Sequence, residues 1–332
     1  MSTGEKRDPR TNKSLKSPAG LLEFEMRKYF FLFILLAQSF ITSPFVLHAE
    51  INVVKVSLPD VEPTVLDPYA RLSFKSINEC SGLIKSRKWE NVFWTHNDSG
   101  NSARIFAVTK KGEIIKPEEE QRSRGIKIEN ARNIDWEDIA TDNQGNLYIG
   151  DVGNNLNNRK DLTVYIVKEP DPRQTSVIKA SLKIPFYYPE QKTTFPEKMN
   201  FDAEALFFAG GKLYLLTKHR SDRYTKLYRF DSMDPSKKNP LTLIGRFDAQ
   251  GYVTGADASP DGRRLAILTY RAVWLFETND HTDDYFHGKV SWLPIHAGQC
   301  EGISLDKERL IISNEGRKLF EVPIENLIHI KN

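Results

Sequence analysis

The sequence has little that would mark a common enzyme class or a nucleic-acid binder. Two cysteines in 332 residues exclude a disulfide-dense scaffold and any cysteine-rich zinc module. Neither charge sign dominates. Lys and Arg number 47 against 44 Asp and Glu, a formal +3 too weak to hold nucleic acid. There is no Gly-x-Ser-x-Gly elbow, His-Glu-x-x-His helix, phosphate loop or dinucleotide fingerprint. Their absence argues against serine hydrolases, zinc proteases, nucleotide hydrolases and dehydrogenases. Aromatics, by contrast, make up 11% of the chain, enough to build a substantial core.

Long apolar runs are also scarce, and the prominent one lies near the start. Residues 1–25 are hydrophilic; Met26-Arg27-Lys28 then leads into Tyr29-Phe30-Phe31-Leu32-Phe33-Ile34-Leu35-Leu36-Ala37. A basic stretch before an apolar one is the pattern of an export signal. Pro44 ends the run, and Ala49 offers a cleavage point. Met26 is an alternative start. An uncleaved anchor is the competing reading, because Tyr29 to Leu47 approaches spanning length. Either way the rest of the chain is expected outside the cytoplasm, periplasmic or secreted, and membrane-anchored if the leader stays. The domain reading is a leader over 1–49 and one domain over 50–332.

Within that domain the chain repeats itself. Each unit has a small or acidic strand start, a turn, a strand ending in polar residues, and a third strand ending in aromatic or aliphatic residues. The first strands read Ser81-Gly82-Leu83, Glu137-Asp138-Ile139-Ala140, Glu204-Ala205-Leu206-Phe207, Ala256-Asp257-Ala258-Ser259 and Glu301-Gly302-Ile303-Ser304. Asp142-Asn143-Gln144-Gly145 and Ser259-Pro260-Asp261-Gly262 carry hairpin-turn chemistry. Fourth strands fit at 126–128, 178–186, 241–244 and 289–293. The fifth unit has none after it, and Arg71-Leu72-Ser73-Phe74 is left over before the first. The pattern predicts an all-β propeller of four-stranded blades, five with six as the alternative. The N-terminal strand would complete the last blade.

Cys80 and Cys300 occupy the same repeat position in the first and last units. Those units are neighbours in a closed ring, so an oxidised bridge is expected between them, with two free buried thiols as the alternative. The first strands of a propeller line its axis. Glu137, Glu204 and Glu301 share one repeat position, with Asp257 assigned to the fourth unit and Ser81 to the first. Converging carboxylates repel and call for a cation, a proton or a basic partner; a polar plug with water is the alternative. Second strands end nearby in His96-Asn97-Asp98, Asp151, Lys218-His219-Arg220, Tyr270-Arg271 and Asn314-Glu315. Carboxylate and amide oxygens are the hard donors that Ca²⁺ takes, so Glu137, Asp151, Glu204 and Glu301 are the candidate metal ligands. The candidate ligand-binding residues are His96, Asn97, Asp98, Lys218, Arg271 and Asn314, the basic ones facing an anion. His96 or His219 would move protons.

Several of these segments resemble secreted bacterial β-propellers of the phytase-like ("esterase-like activity of phytase") kind. They are Glu79-Cys80-Ser81-Gly82-Leu83, His96-Asn97-Asp98-Ser99-Gly100, Asp135-Trp136-Glu137-Asp138-Ile139-Ala140, Tyr148-Ile149-Gly150-Asp151-Val152-Gly153-Asn154-Asn155, Asp202-Ala203-Glu204-Ala205-Leu206 and Cys300-Glu301-Gly302-Ile303. The resemblance implies divalent metal on the axial carboxylates and Asp-Asn loops, and ester hydrolysis in some members. It carries to Glu137, Asp151, Glu204 and Glu301. The expected function is a metal-dependent hydrolase of small anionic or ester ligands, with Glu137, Glu204, Glu301 and His219 as catalytic candidates. A glycan-active enzyme using paired carboxylates and a non-catalytic, protein-binding scaffold are the alternatives. No nucleic-acid partner and no membrane contact by the propeller itself are expected.

Overall fold

The structure, a computed structural model, describes Met1 and residues 51–120, 124–193, 199–279 and 282–331. The leader over 1–49, Met1 apart, lies outside the described residues. The chain divides into two units, Met1–Glu50 and Ile51–Asn332.

Strands and two short 3-10 turns account for all the regular structure of the described residues. Among these residues no helix is long and apolar enough to cross a membrane. Five antiparallel ladders follow one another along the chain. The first pairs Cys80–Lys85, Phe93–Asn97, Arg104–Val108 and Ile126–Ile128 in order. The second pairs Trp136–Thr141, Asn146–Asp151, Thr163–Lys168 and Leu182–Tyr187. The third runs through Ala203–Ala209, Lys212–Thr217, Tyr224–Phe230 and Asn239–Asp248. The fourth runs through Val253–Ala258, Arg264–Thr269, Ala272–Glu277 and Lys289–His296. The fifth has only Cys300–Asp306, Arg309–Asn314 and Lys318–Pro323 from its own unit. Ala70–Arg71, from far upstream, pairs with Lys318 and Leu319 and completes it, as the sequence predicts.

The first strand of each ladder packs on the first strand of the next, and Cys300–Asp306 packs back on Cys80–Lys85. The ring is therefore closed, and the fold is a β-propeller. Apolar clusters fill each gap between neighbouring ladders. Trp94, Ile139 and Ile149 lie between the first and second. Leu206, Phe186 and Tyr228 lie between the second and third, and Phe247, Trp274 and Phe207 between the third and fourth. Each such fully buried side chain contributes about 2–3 kcal/mol relative to exposure.

The hairpin turns form for the reason their sequences suggest. Gly145 and Gly262 adopt the left-handed region at φ 74° and 72°. Asp142 Oδ1 accepts from the Gln144 and Asn146 amides at 2.8 and 2.9 Å, which folds the turn on itself. Two expected strands fall differently. The segment 178–186 splits: Val177–Ile178 runs parallel to Ile126–Ile128 of the first ladder, and only Leu182–Tyr187 joins the second. A strand does follow the fifth unit, Ile328–Ile330, but it pairs with the fourth ladder.

The expected bridge does not form: Cys80 and Cys300 are both free and buried. Cys80 packs with Leu72, Phe93 and Leu319, in the layer between the fifth and first ladders. Cys300 packs with Leu293, Ile303 and Leu310, in the layer between the fourth and fifth. Repeat-equivalent side chains point the same way around a ring. One thiol therefore faces the shared gap and the other faces away from it.

Candidate functional site

Every first strand carries one extra residue near its start. Trp136 pairs with Asp151 and Asp138 with Gly150, leaving Glu137 unmatched. The same shift leaves out Glu204 between Ala203 and Ala205, Thr254 between Val253 and Gly255, and Glu301 between Cys300 and Gly302. In the first ladder it falls at Ser81-Gly82. A bulge re-aims the extra side chain, and here the ring repeats the device at each ladder. The hydroxyl members stitch the ring. Ser81 Oγ donates to the Glu137 carbonyl at 2.6 Å, and Thr254 Oγ1 to the Cys300 carbonyl at 2.8 Å. The acidic members line an axial cavity of about 100 Å³ instead.

Asp257 is not the fourth-unit counterpart of these acids. Thr254 holds that position. Asp257 lies three residues further on and accepts from the Leu305 amide and the Ser304 hydroxyl. Burial pushes its carboxyl up to about 6.

Two Asp-x-Glu pairs, Asp135/Glu137 and Asp202/Glu204, and Asp98, just past the second strand of the first ladder, form two groups of acids that share Glu137. One carboxylate oxygen from each of Asp98, Asp135 and Glu137 lies within 4.8 Å of the others, and the same holds for Glu137, Asp202 and Glu204. Glu137 belongs to both groups. It is only 6% exposed, and no described residue donates a hydrogen bond or an ion pair to its carboxylate. Gly153 passes so close that a Cβ there would lie 2.2 Å from Glu137 Oε1 and 2.3 Å from Asp135 Oδ2.

Three other acids, Asp202, Glu204 and Glu301, have partners. Lys218 Nζ stands 2.9 Å from Glu204 Oε1 and above the Tyr270 ring. Arg220 binds Asp202 and Asn155 and reaches Glu204 at 3.5 Å. Glu301 Oε1 accepts from the Tyr270 hydroxyl at 3.1 Å and Gln299 Nε2 at 3.2 Å.

Burial and mutual repulsion set the protonation of this group. Burial, then Glu204, Asp98 and Asp135, hold the Glu137 carboxyl well above the usual range. Burial pushes Glu204 up to about 8, with Lys218 working against it. Glu301 rises to about 7 through burial, against Lys218. Asp135 rises to about 6 through burial and then Asp98, and burial also raises Asp98. Lys218 is buried as well, yet Glu204 holds its proton more firmly than usual.

One floor of the axis is solid. Asp138 is 1% exposed, and its carboxylate accepts from the amides of Ile139, Leu206 and Ala256, on three strands of the ring. Gly82 leaves the room this needs: a Cβ there would lie 2.6 Å from Asp138 Oδ1.

Of the sequence candidates, Glu137, Glu204, Glu301, Asp98 and Lys218 share the cavity wall. Asp151 stands apart, with Arg159 Nη2 at 2.9 Å and the Asp135 amide at 3.0 Å on its carboxylate. His96 is fully buried against the Trp136 ring, and burial lowers it to about 4. Asn97 accepts from the Asn78 and Glu79 amides and donates to the Ser76 carbonyl. Asn314 does the same kind of work, bonding the Ala297 carbonyl and the Lys318 amide. Both asparagines face a cysteine across the ladder, Asn97 opposite Cys80 and Asn314 opposite Cys300. Their recurrence thus reflects a shared backbone clamp. His219, at φ 50°, ties two loops by facing the carbonyls of Asp222 at 3.2 Å and Gly251 at 2.5 Å. It lines a neighbouring groove together with Arg271.

Sequence reasoning gave no role of their own to Asp135, Asp202, Tyr270, Gln299 and the plug Asp138, and placed Arg220 only among the strand-end basic residues that suggest an anion. Asp-x-Glu at the same repeat position of two units, Asp135-Trp136-Glu137 and Asp202-Ala203-Glu204, is the signal that would have found the first two.

The fold and cavity together define a β-propeller with an acidic axial site. No protein-family model matches the sequence, and no curated protein matches it. Among solved structures, the chain is similar to virginiamycin B lyase from Staphylococcus aureus, at 13% identity and a TM-score of 0.38 over 74% of this chain. It covers 66% of that enzyme's length, just under two thirds. Glutaminyl cyclase from Myxococcus xanthus matches at 11% identity and a TM-score of 0.46, over 81% of this chain and 100% of that one. A nidogen/laminin complex matches at 12% identity and a TM-score of 0.40, over 76% and 81%. The fold assignment rests on the closed ring itself.

Proposed function

We propose that the axial cavity binds a divalent cation and that small anionic or ester ligands are bound and hydrolysed beside it. The observation that carries this reading is Glu137, a buried carboxylate without a donor among the described residues, shared by two groups of three acids. The donor set fits a hard cation. The two acid groups offer carboxylate oxygens, without thiol or imidazole, which favours Ca²⁺ over zinc or copper. Asp98, Asp135, Glu137, Asp202 and Glu204 would hold the ion. A bound divalent ion polarises an ester or phosphoryl oxygen and lowers the pKa of a water.

The chain's own residues supply the rest. Lys218 and Arg220 present positive charge to an anionic ligand at the same wall. Glu301, whose carboxyl sits at about 7 and is oriented by Tyr270 and Gln299, is poised to move a proton at neutral pH. It takes the proton-moving role expected of His96 or His219. The same reading takes the five ladders as the whole ring, and the leader as an export signal that delivers the propeller outside the cytoplasm.

The test is turnover of p-nitrophenyl acetate and p-nitrophenyl phosphate by the full chain, stripped with chelator and then given Ca²⁺, Mg²⁺, Mn²⁺ or Zn²⁺ singly. Turnover that depends on one ion and is lost in Glu301→Gln is expected. Absence of turnover on either ester with every ion would contradict the hydrolase and leave a metal-binding scaffold.

A further inference from the structure

The axial cavity, at about 100 Å³, has room for an ion and a few ligand atoms only. The organic part of any ligand must lie elsewhere. A groove of about 710 Å³ shares the wall formed by Arg220 and Tyr270 with that cavity. This volume lies within the range of small-molecule sites, about 300–1,000 Å³. Three arginines line it, Arg220, Arg223 and Arg271. Arg220 is engaged by Asp202, and Arg223 stands 3.9 Å from Asp248 at its closest. Arg271 makes no ion pair among the described residues.

The groove also has an aromatic wall. Tyr252 is 45% exposed, although its ring is held in place. The His219 ring lies 5.7 Å from it, tilted, and the Tyr270 ring 6.4 Å away, edge-on. The loop clamp made by His219 fixes Gly251 beside Tyr252, so this aromatic surface is preorganised. An immobilised, half-exposed ring in a groove with Arg271, which has no ion pair among the described residues, suits a flat ring that carries an acid group.

We infer that the groove is a subsite for aromatic anions, with the ring on Tyr252 and the carboxylate or phosphate directed toward Arg271 and Arg220. The inference deepens the proposed function by naming its ligand class, and rests on it only for what lies beyond Arg220.

Calorimetric titration of the full chain with phenyl phosphate and with inorganic phosphate, each with chelator and with Ca²⁺, tests it. Phenyl phosphate is expected to bind about tenfold more tightly than inorganic phosphate, the gain expected of a good ring–ring contact. Tyr252→Ala should abolish that preference and leave inorganic phosphate binding intact. Arg271→Ala should weaken both. Equal affinity for the two probes, or a preference that survives Tyr252→Ala, overturns the inference, as does failure of phenyl phosphate to bind. The preference should persist in chelator and in Glu137→Gln, so a failure of the metal reading alone leaves it standing.

Discussion

Replacing Glu301 by glutamine should make the chelated protein more stable at pH 8 and change little at pH 5. The folded protein raises this carboxyl from 4.5 to about 7, mainly by burial. In that interval the native state holds a proton that the unfolded chain has released. Stability is therefore greatest below about 4.5, falls as pH rises, and levels out above about 7. The distance from 4.5 to about 7 disfavours the charged form by about 3 kcal/mol. Glutamine keeps an acceptor oxygen for Tyr270 and Gln299 but carries no charge to desolvate. The variant should gain roughly 2–3 kcal/mol over the parent at pH 8 and less than about 1 kcal/mol at pH 5. In a domain of this size that is about 4–6 °C in the unfolding midpoint. Thermal unfolding of both proteins in chelator across pH 5–8 reads it out. A variant no more stable at pH 8, or a difference that stays constant with pH, would refute the reasoning.

Two further substitutions probe the buried acids of the ring. Gly153→Ala places a methyl group 2.2 Å from Glu137 Oε1, so the acids must part; a loss of about 1–3 kcal/mol in denaturant unfolding is expected, together with loss of ion binding by calorimetry. Asp138→Ala leaves three amides on three strands without their acceptor, and should cost about 3 kcal/mol or more in urea unfolding, in chelator and with ions alike. A neutral Asp138→Ala would show that the plug does not hold the ring.

The propeller was legible because its repeats keep register. A small or acidic residue stands near the start of each first strand, and a Leu-Tyr or Leu-Ile pair marks the second strand of three units, at Leu147-Tyr148, Leu213-Tyr214 and Leu310-Ile311. The ring closure by Ala70–Arg71 followed from one missing strand at the end and one spare at the start. The bulge was not legible, because strand periodicity does not report an inserted residue. Without it the fourth unit was aligned on its acid, Asp257. The glycine that follows the bulge in Ser81-Gly82, Thr254-Gly255 and Glu301-Gly302 gives the true register. The thiols were misread for a related reason: repeat position fixes a place on the ring, and the rotational sense of the side chain decides who faces whom. The asparagines at second-strand ends recur as backbone clamps, which a sequence shows no differently from ligands. Asp151 could not be told from a cavity acid before Arg159, eight residues on, was seen to fold back on it.

The account turns on whether the axial acids hold a cation. Thermal unfolding of the chelator-stripped full chain, with Ca²⁺, Mg²⁺, Mn²⁺ and Zn²⁺ added singly, measures this directly. An ion that binds only the folded protein stabilises it by about 2.7 kcal/mol at a hundredfold excess over its dissociation constant. The account predicts such a rise with Ca²⁺, absent in Glu137→Gln. A midpoint that no ion moves, or a rise that Glu137→Gln leaves intact, would contradict it.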